Sequence, residues 1–210
     1  MEGDLAPLDK ITALAKKYRA NVFMDECHAT GFIGKTGRGT AEYFGVEGQI
    51  DIISSTLGKA MGGGTGGYLT GRKKVIDLMR QKARPYLFSN SISPSIVGAS
   101  LEVFRILNAS TEKRDILARN LTHFRRRMQE AGFRVGGNQD CPIVPVMLGD
   151  ARLATEFADE MQQLGIYVIG FSFPVVPKGK ARIRVQLSAT HTPEMIDKAV
   201  ASFVEMGKRK

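Results

Sequence analysis

The chain has 210 residues, 43% hydrophobic and 24% charged, enough for one large domain or a moderate domain plus a small one, with a real apolar core. Its 30 Lys and Arg against 21 Asp and Glu leave a net charge of +9, spread along the chain with denser points at Arg125–Arg127 and at the C-terminal "GKRK". With no Trp and no interleaved aromatics, nucleic-acid binding is not expected; a solvated helix face, or a field that attracts an anionic substrate, is.

Met1 is followed by "EGDLAPLDKI", which lacks the regions of a signal peptide and the arginine-rich face of a transit peptide. Residues 4–19 read as a helix with Pro7 in its first turn and Leu8, Ile11, Leu14 and Ala15 on one face. "NVFMD" (21–25) reads as a short buried strand. The alternation recurs with a strand at 50–54, a glycine-rich segment, a strand near 67–70 and a helix at 73–82. Helices are expected at 94–107 and 111–131, then strands at 143–148, 166–170 and 181–188 with a helix at 151–163. Thr192 with Pro193 behind it starts the last helix. The longest uncharged apolar run, Gly165 to Pro177, is too short for a membrane span and holds two prolines, so no transmembrane helix is expected. Cys27 and Cys141 form no C-x-x-C pair and no disulfide framework, which points to a reducing compartment.

This order predicts an α/β architecture: residues 1–109 as part of a domain with a mainly parallel sheet, and 110–210 as a smaller α+β domain. A helix that feeds at once into a site-bearing strand reads as a chain that starts inside a domain.

"VFMDECHATGFIGKTG" (22–37) carries two echoes of nucleotide enzymes, "DECH" and "GKT". A P-loop needs a glycine five residues before its second glycine, and Ala29 stands there; "GKT" also follows "DECH" instead of preceding it, so an ATPase is not expected. Gly62, Gly64 and Gly67 match G-x-G-x-x-G, but a strand follows where that motif needs a helix. Asp25, Cys27 and His28 lack the further ligands of a metal site, and no metal is expected.

Asp25 ends one apolar strand and Lys59 follows another, in "STLGKAMGGG". A carboxylate and a lysine at the ends of parallel strands can face one crevice, and this pair suits pyridoxal phosphate (PLP). Lys59 would bind the cofactor's aldehyde, with Leu57, Gly58, Ala60 and Met61 disfavouring its charged form. Asp25 would keep the pyridine nitrogen protonated. Taken singly, Lys59 reads as an exposed loop lysine and Asp25 as a turn former.

"VFMDECHATGFIGKTGRGT", "STLGKAMGGGTGGY", "RPYLFSNSISP" and "FPVVPKGKARIRVQLSATHT" together resemble the α-oxoamine synthases, PLP enzymes that condense an amino acid with an acyl-CoA. "PVVPKGKARIR" and "RPYLFSNS" set the chain apart from the 5-aminolevulinate and 8-amino-7-oxononanoate synthases in that family. The resemblance covers essentially the whole chain but only about the C-terminal half of family members. It implies a PLP-dependent transferase of fold type I, like aspartate aminotransferase, acting on glycine and acetyl-CoA to give 2-amino-3-ketobutyrate and CoA, or the reverse in threonine breakdown. It implies Lys59 as the PLP-bearing lysine, Asp25 at the pyridine nitrogen, His28 at the ring oxygen and Thr56 at the phosphate. Ser89 and Asn90 would reach the phosphate of the neighbouring subunit of a homodimer, and Arg184 would bind the substrate carboxylate. Arg182 is expected at the surface, on the opposite face of the strand. The resemblance leans towards a mitochondrial setting, and the chain alone is expected to turn over weakly or not at all.

Overall fold

The structure is a computed structural model that describes residues 2–62 and 64–209. The chain divides into two compact units, Ala6–Thr111 and, separately, Met1–Leu5 with Glu112–Lys210.

The Ala6–Thr111 unit begins with α1 (Leu8–Tyr18). Arg19 ends it in the left-handed conformation (φ 52°), its N–H turned back to the last helical carbonyls. Of the expected face of α1, Leu8 is buried and Ala15 packs part-buried beside it, but Ile11 and Leu14 are exposed (Leu14 55%) and Thr12 is buried in their place. Thr12 can sit inside because its hydroxyl donates to Leu8 O at 2.8 Å. Leu8 packs with Val22, Ala41 and Val46, which joins α1 to β1 (Phe23–Asp25) and to the short α2 (Thr40–Tyr43).

β1 pairs in parallel with β2 (Ile52–Thr56), and β2 pairs antiparallel with β3 (Gly67–Gly71), in the order β1-β2-β3. The sheet of the described residues is therefore mixed where a mainly parallel one was expected. The β2–β3 connection, residues 57–66, is too short for the crossover that a parallel pair demands. Gly67 and Gly71 are required by this pairing, since a Cβ at either would meet the facing strand's carbonyl oxygen at 2.7 or 2.5 Å. β2 lies two residues later than predicted. After it come α3 (Lys73–Lys82), α4 (Arg84–Phe88) and α5 (Pro94–Ala109). α4 was not anticipated; Pro85 near its start favours a helical turn. On α5, Val97, Leu101, Phe104 and Ile106 are exposed.

In the other unit, α6 (Glu112–Glu130), α7 (Ala151–Gln163) and α8 (Pro193–Arg209) accompany an antiparallel sheet of β4 (Ile143–Gly149), β6 (Ala181–Gln186) and β5 (Ile169–Phe171), in that order. Asp150 caps α7 by accepting from Leu153 N–H at 2.8 Å. Thr192 does the same for α8, accepting from Met195 N–H, as the Thr-Pro pair predicts. β5 begins three residues after the expected start because Ile166 N–H still bonds Met161 O, within the C-terminal turn of α7.

Ile183 and Val185 of β6, opposite Val146 and Val144 of β4, point to the core, where they join Phe124, Phe157, Met161 and Phe203. The even-numbered residues of β6 take the other face. Arg182 and Arg184 thus share a face, as strand residues two apart must, which corrects the expectation that they oppose each other. Nor is Arg182 at the surface: it is 3% exposed, its Nη1 donating to the Glu2 carboxylate and its Nε to Lys180 O at 2.9 Å. The buried guanidinium persists because the N-terminal segment lies over it, held also by Asn138 N–H donating to Gly3 O.

Candidate functional site

Asp25 is the last residue of β1, at the carboxyl end of the strand, and its Oδ1 accepts the Cys27 N–H at 2.8 Å. This Asx turn reverses the chain and places Cys27 and His28 just beyond the strand end. The Cys27 thiol and backbone N–H hold the Asp25 carboxyl below its ordinary range, against a partial loss of solvation, and the charges of Lys59 and His28 lower it further. The same contact pushes the Cys27 thiol up. Lys59 and His28, in the same Ala6–Thr111 unit, thus favour the charged form of the Asp25 carboxylate.

Lys59 lies in the loop that leaves β2. Leu57 and Met61 are buried, but Lys59 with Gly58 and Ala60 is exposed, so the enclosure expected from its small neighbours is absent here. Thr56 shapes this loop: its hydroxyl accepts from Gly58 N–H at 3.1 Å and donates to Gly66 O at 3.3 Å. Leu57 N–H closes the loop on Gly66 O at 3.0 Å. Gly63, in the middle of the glycine run read as G-x-G-x-x-G, lies outside the described residues. Ser89 follows α4, with its N–H bonded to Pro85 O, and both Ser89 and Asn90 are exposed. Arg184 belongs to the other unit, where its guanidinium stacks over Phe171 at 5.0 Å from the ring centre.

The "GKT" segment is not built to take a phosphate. A carboxylate already sits at its last residue: Thr36 N–H (2.9 Å) and hydroxyl (2.7 Å), with the nearby Arg38 N–H (3.0 Å), donate to Glu42. Among the described residues, no cluster of three His, Cys, Asp or Glu is arranged to hold a metal ion. No helix is long and apolar enough to cross a membrane, again among the described residues.

Sequence reasoning passed over Glu26. It is 2% exposed and accepts from Thr40 N–H at 2.9 Å and Thr40 hydroxyl at 3.0 Å, fourteen residues downstream. No local pattern signals a partner at that distance. Burial pushes the Glu26 carboxyl above its ordinary value of 4.5, with the Thr40 bonds opposing and the Asp25 charge assisting. A raised folded-state value means that the fold favours protonated Glu26. Its contribution is full below about 4.5 and is lost as pH rises through the raised value. Glu26→Gln removes this titration, so its melting temperature relative to wild type is expected to be higher at about pH 8 than at about pH 4. Parallel pH profiles of the two melting temperatures would contradict it.

The sequence pattern of the family "Aminotransferase class I and II" matches residues 1–203. The chain is 57% identical over 208 residues to the mitochondrial 2-amino-3-ketobutyrate coenzyme A ligase of Homo sapiens, covering 99% of this chain and 49% of that protein. It is 53% identical to the 2-amino-3-ketobutyrate coenzyme A ligase of Escherichia coli (strain K12), covering 100% and 52%. Among solved structures it resembles a serine palmitoyltransferase from S. paucimobilis with bound PLP–myriocin, with TM-score 0.93, 35% identity and coverage of 100% and 52%. The chain spans about half the length of the curated relatives it matches. With the family pattern and these relatives running along nearly all of its sequence, the chain belongs to the aminotransferase class I and II family.

Proposed function

We propose that this chain carries the lysine-bearing half of a PLP-dependent glycine C-acetyltransferase. That enzyme joins glycine and acetyl-CoA to give 2-amino-3-ketobutyrate and CoA, and cleaves the ketoacid with CoA in threonine breakdown. The observation that carries this reading is the placing of Asp25 at the end of β1 and of Lys59 just past the end of the parallel strand β2, with the charges of Lys59 and His28 both favouring the ionised Asp25 carboxylate. The identity of 57% to an enzyme named for that ketoacid and CoA supports the choice of substrates.

The donor set fits PLP: an amine for its aldehyde, an ionised carboxylate for its ring nitrogen and an imidazole beside them. When bound, PLP supplies an electron sink for negative charge at the glycine Cα. Lys59 Nζ is the amine that holds the cofactor and, when neutral and free, the base that takes the glycine Cα proton. Asp25 keeps a proton on the ring nitrogen, a charge-assisted bond worth about 1.5–3 kcal/mol. His28 would bond the ring oxygen, and Thr56 would serve the phosphate from the end of β2, where the 57–66 loop begins. Arg184 offers a planar fork for the glycine carboxylate.

Ser89 and Asn90 serve the cofactor of a second subunit in a homodimer. Exposed Tyr86, Leu87 and Phe88 (76%) next to them give a second subunit apolar surface to cover. The net charge of +9 suits an anionic CoA substrate. The mitochondrial matrix is the proposed compartment, in line with the name of the human relative.

The test is PLP titration of the 210-residue chain, because its turnover is expected to be weak or absent. Wild type is expected to gain the long-wavelength absorbance of lysine-bound PLP, glycine to shift it, and Lys59→Ala to abolish it. Absorbance that survives in Lys59→Ala would sink the assignment.

A further inference from the structure

We infer that Glu26 is a positioning residue: its buried carboxylate clamps the turn that presents Asp25 and His28, through paired bonds to Thr40 at the start of α2. This inference rests on the proposed reading of Asp25 and His28 as cofactor contacts.

The clamp consists of directed bonds in a space that admits little else. Oε1 accepts Thr40 N–H at 2.9 Å and Oε2 accepts the Thr40 hydroxyl at 3.0 Å. Gly39 passes against the carboxylate with φ 102°; a Cβ there would lie 2.9 Å from Oε2 and 3.0 Å from the carboxyl carbon. Any other residue at 39 would push the two apart as well as strain the backbone.

The backbone of Glu26 fixes the turn from the other side. Its N–H donates to Ser54 O at 2.8 Å, extending the β1–β2 ladder one step past Asp25. Its carbonyl accepts from Ala29 N–H at 2.9 Å and from the Thr30 N–H and hydroxyl at 3.0 and 3.1 Å. Thr30 in turn bonds the Ser55 hydroxyl at 2.8 Å, next to Thr56. Residues 26–30 are therefore tied to β2 beneath and to α2 beyond, while Asp25 and His28 stay at the surface. A buried carboxylate is costly to hold, and a local turn does not need one. The carboxylate is what joins the turn to a helix fourteen residues away.

Cys27 supplies a readout that needs no cofactor. It is part-exposed and lies against Asp25, whereas the other thiol, Cys141, is buried. If Glu26 holds this turn, Glu26→Ala frees Cys27 from Asp25, and iodoacetamide alkylation at about pH 8 speeds up several-fold, to at most about tenfold. Mass spectrometry of the Cys27 peptide measures it. Glu26→Gln, which keeps an acceptor for Thr40 N–H, is expected to retain the wild-type pH–rate profile. Thr40→Val removes only the hydroxyl bond and gives a smaller change in the same direction, so it serves if Glu26→Ala does not fold.

In PLP titration, Glu26→Ala is expected to raise the Kd about tenfold and Glu26→Gln to leave it within about twofold. Three results would each overturn the inference: a folded Glu26→Ala or Thr40→Val with wild-type thiol reactivity, a Glu26→Gln that behaves like Glu26→Ala, or an unchanged Kd in folded Glu26→Ala. If wild type takes up no PLP, the cofactor reading fails, and the thiol profiles still decide whether the clamp exists.

Discussion

Asp25→Asn is expected to weaken PLP binding by about 10- to 100-fold, because the charge-assisted bond proposed between Asp25 and the ring nitrogen would be worth about 1.5–3 kcal/mol. The substitution is close to isosteric. Asn keeps an oxygen for the Cys27 N–H that defines the turn, now 2.8 Å from Oδ1, so the shape of the β1 end survives while its charge is lost. Lysine-bound PLP should still form, but only at higher cofactor concentration. In wild type, the depressed Asp25 value keeps the carboxylate ionised throughout the neutral range, and its contribution is lost only as pH falls through that lowered value. Wild-type affinity in Asp25→Asn, measured by absorbance titration, would remove Asp25 from the cofactor site.

Phe203→Ala should cost about 3–5 kcal/mol of stability. Phe203 is fully buried on α8, and three other rings pack on it: Phe157 with centroids 5.5 Å apart, Phe133 at 5.9 Å and Phe124 at 6.5 Å, the last two edge-on. Removing the ring leaves a cavity that helices α6, α7 and α8 and the sheet cannot all collapse to fill. For a unit of this size, the melting temperature should fall by at least about 12 °C in a circular-dichroism melt. Leu101→Ala on α5 is the control: Leu101 is 65% exposed in this chain, and the change is expected to stay within about 0.5 kcal/mol. Equal losses from the two substitutions would mean that α5 is not the open surface it is here.

Most elements could be read from the sequence because their signals are local. Helices at 73–82 and 151–163 fall where periodicity put them, and the Thr192–Pro193 start of α8 needs only neighbouring residues. Where the reading slipped, a contact from elsewhere had intervened. α1 turns Thr12 inward instead of Ile11 because the hydroxyl finds a carbonyl one turn back, and Val22, Ala41 and Val46 supply the cover for Leu8. β3 runs antiparallel because its connection is short, which outweighs an overall α/β alternation. Arg182 is buried because Glu2, 180 positions away in the chain, crosses the sheet face that holds it.

The same division applies at the candidate site. By itself the sequence determined the chemical inventory: an acid at the end of a strand, a histidine three residues on, a lysine after the next strand, and motifs that resemble those of one enzyme family. Such features survive in one dimension because each depends on residue type and near neighbours. Only the tertiary structure decided that the charges of Lys59 and His28 favour ionised Asp25, that Thr36 of "GKT" donates to Glu42, and that Glu26 reaches Thr40. Those outcomes depend on which groups folding brings together, and hydrogen bonds between distant residues leave no periodic trace in the chain that makes them.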